Sequence, residues 1–305
     1  MQRPLGVPVQ GSTNLQRWIA TGERRTLGGH SMFVRRAVAP GRPPLLLIHG
    51  YPTASYDWHP MWDALAARYS LLTLDLLGFG LSDKPRGHRY SVAEQADLCQ
   101  ALLASERIAR VHLLAHDYGD TVAQELLARE AEGRIAIASA CVLNGGLFPE
   151  THRARPVQKL LATPVIGAVL SRAMNRRGFS KTMRGIGGRV PPSQQDLDDL
   201  WWLLERDGGR QALARLIGYM EERRRSRPRW VGALTSGRVP LRCICGALDP
   251  VSGAHMAARY RELVPDPDVV LLDDVGHYPQ LEAPGRVVEA YLAFRDRLAL
   301  VADRP

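Results

Sequence analysis

Lysine is almost missing from this chain. Of its 40 basic residues, 3 are Lys and 37 are Arg. The formal net charge is +9, a balance that favours anionic partners. No zinc-finger spacing or aromatic RNA-binding motif accompanies that charge, so nucleic acid is not an expected partner. Cysteine is scarce too: Cys99, Cys141, Cys243 and Cys245. Cys141, Cys243 and Cys245 lie in apolar, strand-like runs, and Cys243 and Cys245 alternate along a strand, so their thiols face opposite ways. Metal-ligand spacing is absent, which leaves buried, reduced thiols and no expected metal. No apolar run of about 18 residues suggests a membrane span. The start, MQRPLGVPVQGSTNL, lacks a basic-then-apolar signal pattern. A cytoplasmic protein is the expectation, without stable membrane insertion. Gly78-Phe79-Gly80 is too short for a nucleotide fingerprint, so no cofactor is called for. Repeats and low-complexity tracts are absent.

What remains is a chain of 305 residues with 45% apolar content, enough for a large core or a core plus an inserted domain. Residues 1–22 carry little signal and read as a loose arm. Glu23 to Val38 reads as a hairpin around Leu27-Gly28-Gly29-His30. Pro44 to His49 is a continuous apolar run, as expected of a strand buried on both faces of a parallel sheet. Trp58 to Tyr69 has helical periodicity, and Ser70 to Asp75 is the next strand. Ser91 to Ser105 is a helix whose Ser91 and Glu94 form a capping box. Ile135 to Leu143 is another strand. The rhythm breaks from about Gly145 to Gly237, where helical patterns cover Val157 to Arg172, Ser193 to Glu205 and Gln211 to Arg225. It returns with strand Leu241 to Gly246, helix Gly253 to Leu263, strand Val269 to Leu272 and a last helix from about Arg286 to Leu300. Alternating strands and helices imply a doubly wound, mostly parallel α/β sheet. Residues 1–144 and 238–305 form the expected core, and residues 145–237 an inserted helical cap.

Val111 to Leu127, VHLLAHDYGDTVAQELL, is the stretch that carries chemistry. A strand turns sharply through His116-Asp117-Tyr118-Gly119 into a helix with apolar residues at Val122, Ala123, Leu126 and Leu127. Strand, tight turn and helix, with small Ala115 and Gly119 flanking one reactive side chain, make the nucleophile elbow of α/β hydrolases. G-x-S-x-G occurs nowhere. The reactive position is Asp117. A carboxylate attacking an acyl carbon makes a poorly productive mixed anhydride. On an sp³ carbon it makes an alkyl ester that water can hydrolyse. The competing reading is that Asp117 only caps its helix.

The elbow needs a base and an orienting acid, and this fold supplies them in the order nucleophile, acid, His. Asp249 in Gly246-Ala247-Leu248-Asp249-Pro250 and His277 in Gly276-His277-Tyr278-Pro279 both follow the carboxyl ends of strands, where ligands bind in open sheets. His277 is the expected base for the hydrolytic water and Asp249 its partner. Asp273 and Asp274 stand too close to His277 for that geometry. The backbone N–H groups of Tyr51, after His49-Gly50, and of Tyr118 are the expected oxyanion hole. Gly50 permits close backbone approach there.

His49-Gly50-Tyr51-Pro52-Thr53, Asp75 to Pro85 (DLLGFGLSDKP), His116-Asp117-Tyr118-Gly119 and Gly276-His277-Tyr278-Pro279 together resemble the epoxide hydrolase and haloalkane dehalogenase branch of the α/β hydrolases. The resemblance covers nearly everything from about Pro44 onward. It implies an Asp nucleophile, no cofactor, and a hydrophobic small-molecule substrate with water as co-substrate. Members of the branch usually carry Trp after the nucleophile, where this chain has Tyr118. Dehalogenases often carry Asn where it has Tyr51, so the halide cradle differs. Epoxide hydrolases use two cap tyrosines as proton donors; this cap has one, Tyr219, with Tyr51 or Tyr118 as candidate helpers. Tyr219 also fits an ordinary core aromatic.

Epoxide hydrolysis is therefore the leading expectation. Dehalogenation, lipid acyl hydrolysis or transfer, and a non-catalytic ligand-binding or scaffold role are the alternatives. Arg223-Arg224-Arg225-Ser226-Arg227-Pro228-Arg229 could hold an anionic group or rest on an anionic membrane surface, but reads best as a solvated edge. Val157 to Leu170 could touch lipid, but reads best as packing over the active site. Trp201, Trp202 and Trp230 read as core or pocket wall.

Overall fold

The computed structural model describes residues 11–302. Its centre is one eight-stranded sheet in the order β1-β2-β4-β3-β5-β6-β7-β8. The strands are β1 (Gly22–Leu27), β2 (His30–Ala37), β3 (Pro44–Ile48), β4 (Ser70–Leu74), β5 (Arg110–His116), β6 (Ala136–Leu143), β7 (Leu241–Gly246) and β8 (Val269–Leu272). β1 and β2 form the expected hairpin, and β2 joins β4 antiparallel. From β4 through β8 every pairing is parallel. Leu45 to Ile48 of β3 are fully buried, as a strand covered on both faces must be. The strand order reverses between β3 and β5, which sets the loops after those two strands side by side at the usual crevice for a ligand.

Helices flank the sheet: α1 (Thr13–Ala20), α2 (Trp62–Ala66), α3 (Val92–Ser105) and α4 (Tyr118–Ala131) come before β6. Seven follow between β6 and β7: α5 (Pro156–Leu161), α6 (Pro164–Ala173), α7 (Arg176–Arg184), α8 (Gln194–Glu205), α9 (Gly209–Leu216), α10 (Tyr219–Arg225) and α11 (Arg227–Thr235). α12 (Ala254–Leu263), α13 (Pro279–Glu282) and α14 (Pro284–Ala302) complete the core.

Several local expectations need correction. Of the expected arm, residues 1–10 lie outside the described residues, and residues 11–22 are not a loose arm. α1 docks Leu15, Trp18 and Ile19 into the core. Its cap, Ser12, accepts from Leu15 N–H, and the Ser12 N–H donates to Asp199 Oδ1 of α8 at 2.9 Å. Trp58 to Tyr69 is broken by His59-Pro60 into a single 3₁₀ turn, Ser55–Trp58, and the short α2. The stretch from Val157 to Arg172 is two helices. Pro164 pushes Thr163 to an extended conformation at φ −83°, ψ 123°. Gln211 to Arg225 likewise splits between α9 and α10. Only half of the capping box forms at α3: Ser91 accepts from Glu94 N–H, while the Glu94 carboxylate turns to His88 at 2.9 Å. α7 and α11 have no counterpart among the expected helices. α7 buries Phe179, Ser180 and Met183, too few apolar positions for a clear periodic signal.

α1 owes its place to Trp18, which is 2% exposed. The Arg35 guanidinium lies 4.0 Å over its ring, and Trp62 meets it edge-on at 5.0 Å. Trp18→Ala is expected to cost about 3–5 kcal/mol of unfolding free energy in urea. A cost under about 1 kcal/mol would mean that α1 is not part of the core.

Candidate active site

β5 ends at His116, and the next residue makes the turn. Asp117 has φ 47° and ψ −105°, a conformation that a non-glycine residue holds only when its surroundings enforce it. The enforcement comes from two glycines. A Cβ on Gly119 would stand 2.3 Å from the Ile48 carbonyl oxygen, and one on Gly50 would stand 2.9 Å from the Asp117 Cβ. The loop after β3 therefore lies directly against the elbow, which nothing larger than glycine allows.

Asp117 occupies the N-cap position of α4, yet its side chain makes no capping hydrogen bond. Its Oδ2 instead accepts from the Tyr51 backbone N–H at 3.1 Å. The carboxylate is 4% exposed. Tyr118 N–H starts α4 immediately after it, and the Tyr118 ring packs on Phe79 and Tyr219. His49 braces the same loop, its Nε2 accepting from Leu76 N–H at 2.9 Å. The Asp75 carboxylate ties the loop after β4 to the loop after β3 through Ser55 N–H at 2.8 Å and Leu81 N–H at 2.7 Å.

Asp249 follows β7 and His277 follows β8. His277 Nδ1 lies 2.7 Å from Asp249 Oδ2. That carboxylate also accepts from Asn144 Nδ2 at 3.0 Å, Val251 N–H at 2.7 Å, Ser252 N–H at 3.1 Å and Ser252 Oγ at 2.9 Å. Burial opposes its charge, but His277 and these donors hold it below the usual carboxylate range. For His277 burial works toward the neutral ring. The Asp249 charge and hydrogen bond outweigh that, with Asp117 adding less, and raise it to about 9. The rival acids are elsewhere: Asp273 is exposed, and Asp274 is exposed and paired with Arg286.

Asp117, Tyr51, His277 and Tyr278 line one cavity of about 290 Å³ whose remaining wall comes largely from α5, α6 and α7. Most of that wall is apolar, with Val157, Leu161, Leu170, Phe179, Met183 and Ile186 as its bulk. Clefts of about 430 and 570 Å³ exist elsewhere, with Arg and Lys among their lining residues, but neither contains Asp117 or His277. The smaller cavity is the one with reactive groups.

Tyr219 does not line this cavity. It is buried beside it, its ring 6.0 Å from Tyr51 and 4.8 Å from Tyr118, with the Arg223 guanidinium 4.5 Å over the ring. The larger departure is Arg223. The basic run was expected to be a solvated edge, and Arg224 and Arg225 are exposed and paired with Glu221. Arg223, however, is 2% exposed. Its Nε donates to Thr121 Oγ1 at 2.6 Å and its Nη2 to the Asp117 carbonyl at 3.2 Å, with Asp117 Oδ1 at 3.8 Å. Sequence reading missed it because one Arg in a run of Arg carries no sign of burial. The helical phase of α10 gives the only hint: Tyr219, Met220 and Arg223 share its buried face. His116 was also missed. Fully buried, it reaches the His277 carbonyl through Nε2 at 2.8 Å, and burial pushes it down to about 3.

His30, His88 and Glu94 bring three ligand-type atoms within 4.8 Å of one another at the hairpin and the start of α3. The His88–Glu94 contact accounts for that grouping as a hydrogen-bonded pair.

The raised His277 value has a testable sign. A group whose pKa is higher in the folded state stabilises fully below its unfolded value, here near 6.5, and loses that contribution as pH rises through about 9. Asp249→Asn removes the counter-charge and leaves burial to dominate. The His277 ring titration, followed by NMR, is expected to fall from about 9 to below 6.5. A titration still near 9 in the variant would contradict the assignment of Asp249 as the cause.

Comparison with known proteins gives the family of the fold. The sequence model of the alpha/beta hydrolase family matches residues 45–290. The human mesoderm-specific transcript homolog protein is 42% identical over 299 residues, covering 94% of this chain and 89% of that one. A loop variant of the haloalkane dehalogenase DbeA from Bradyrhizobium elkanii superposes with a TM-score of 0.78 at 21% identity, covering 92% of this chain and 98% of that one. The epoxide hydrolase CorEH superposes with a TM-score of 0.76 at 18% identity, covering 91% and 99%. With its strand order, its elbow after β5 and its family match over most of the sheet, the chain belongs to the alpha/beta hydrolase family.

Proposed function

We propose that this protein is a cofactor-independent hydrolase in which Asp117 attacks an sp³ carbon of a small hydrophobic epoxide in the cytoplasm. One observation carries the reading. The Asp117 carboxylate is held in a strained turn, does not cap its helix, and shares an apolar cavity with His277. A carboxylate kept free at that cost to the backbone is there to react.

In the first step Oδ1 attacks carbon while Tyr51 N–H holds Oδ2. The epoxide C–O bond breaks, and a phenol protonates the opening oxygen. Tyr51 is the donor assigned here, because it is on the cavity wall and its hydroxyl makes only a 3.5 Å contact with the Leu213 carbonyl. Tyr219 stands behind it as a second phenol. In the second step His277 takes a proton from water, and the water oxygen attacks Cγ of the ester. Negative charge collects on Oδ2 before Tyr51 and Tyr118 N–H. The Cγ–Oδ1 bond then breaks, and His277 returns the proton to Oδ1 of the departing diol. The proton still on the water-derived oxygen passes to the Tyr51 phenolate, which restores the Asp117 carboxylate and the Tyr51 phenol. Asp117 is neutral as an ester. Its contribution to raising His277 disappears at that stage, so the ring becomes a readier base when the water must be activated.

Arg223 keeps positive charge near Oδ1. It balances the carboxylate in the resting enzyme and the departing oxygen in the second step. The cap is read as residues 145–237, since its helices supply both Arg223 and most of the cavity wall.

Dehalogenation is the nearest rival. It is weaker because Tyr51 and Tyr118 stand where side-chain N–H donors for halide are wanted. Acyl hydrolysis fits poorly with a carboxylate nucleophile, and a scaffold role leaves the His277–Asp249 pairing without purpose.

Single turnover with styrene oxide in heavy-oxygen water tests the reading. The first diol should carry unlabelled oxygen from Asp117, and the label should appear in the protein. Solvent oxygen in the first diol would rule out the ester. Arg223→Gln is expected to lower kcat by at least about 10-fold with a smaller change in KM; an unchanged kcat would remove Arg223 from the mechanism. Release of bromide from 1-bromohexane at a higher rate than epoxide opening would move the assignment to the dehalogenase alternative.

A further inference from the structure

Residues 151–195 contain nine Arg and Lys and not one Asp or Glu. Those nine equal the formal net charge of the whole chain, +9. They are Arg153, Arg155, Lys159, Arg172, Arg176, Arg177, Lys181, Arg184 and Arg189, and every one is exposed. Among the described residues only Arg176 is paired with a carboxylate, Asp198. Other arginines of the chain do face acids, as Arg229 faces Glu125 and Glu132.

The same segment holds five of the eight large hydrophobic side chains that are exposed among the described residues: Leu160 at 46%, Val165 at 76%, Ile166 at 50%, Val169 at 62% and Val190 at 70%. Val165, Ile166 and Val169 fall on one face of α6, and Leu160 lies on α5, which packs against it. The same two helices also supply Val157, Leu161 and Leu170 to the cavity wall. Apolar side chains left toward solvent beside such a wall are expected where a nonpolar medium covers them.

We propose that the outer face of α5 and α6 docks on an anionic phospholipid bilayer, its apolar side chains entering the interface and its basic rim meeting the headgroups. Both parts follow the physics of interfacial helices, which combine buried apolar area with attraction to anionic lipid. A second copy of this chain suits the surface poorly, because pairing it with itself sets eight charges without a carboxylate partner against eight more. Docking there brings the cavity wall next to the lipid phase, from which a hydrophobic substrate can enter. That last consequence rests on the hydrolase reading; the docking itself does not.

Flotation of the full chain with phosphatidylcholine vesicles, with and without phosphatidylglycerol, tests the proposal. Binding should be at least about 10-fold stronger with the anionic lipid and should weaken with added salt. Ile166→Asp with Val169→Asp, and separately Arg177→Glu with Lys181→Glu, should each reduce it at least about 10-fold. These positions are exposed, so thermal unfolding should match that of the parent. Binding that ignores lipid charge, binding unchanged in both variants, or no binding at all overturns the proposal. So does a dimer, seen by light scattering without lipid, that Ile166→Asp with Val169→Asp dissociates. Loss of lipid binding with unchanged turnover of dissolved styrene oxide leaves the hydrolase reading standing. Intact binding with labelled diol in the first turnover does the reverse.

Discussion

Backbone is packed against backbone where the loop after β3 meets the turn after β5, and the candidate site is organised around that contact. Gly50 and Gly119 allow it, and Asp117 takes a positive φ because of it. The close approach sets the Tyr51 N–H on Oδ2 and denies the carboxylate its usual role as a helix cap. Strain at this one residue is held by a sheet whose central strands are buried on both faces, so the turn has no way to relax.

Charge placement follows from the same geometry. Four ionisable groups, Asp249, His277, Asp117 and Arg223, sit within a nearly dry region as two pairs of opposite sign. Asp249 has His277 and four hydrogen-bond donors; Asp117 has Tyr51 N–H on one oxygen and Arg223 near the other. A buried charge without such partners is expensive. The helices between β6 and β7 are therefore more than a cover. Arg223 reaches from α10 to the elbow, which couples the placement of those helices to the electrostatics around Asp117.

Much of the fold was legible because its signals are local. β7 and β8 have the bounds that their apolar runs suggest, and the glycine pair in the first hairpin lies between β1 and β2 as expected. Asp117, Asp249 and His277 could be picked out because each follows a strand, and strand ends converge in this topology. What escaped depends on partners distant in sequence. α1 looks unremarkable until Asp199, Tyr56 and Trp62 are brought beside it. Arg223 is indistinguishable from its neighbours until α10 turns it toward Thr121. The breaks before Pro164 and after Leu216 were obscured because apolar spacing continues across them, although the backbone does not.

The central claim is that a carboxylate at position 117 forms a covalent bond to substrate carbon and that His277 is needed to release it. His277→Gln mixed with styrene oxide, then digested and weighed by mass spectrometry, addresses both halves at once. The account predicts that the peptide carrying Asp117 gains the mass of one substrate molecule and keeps it. An unmodified Asp117 peptide in a variant that has lost turnover would contradict it.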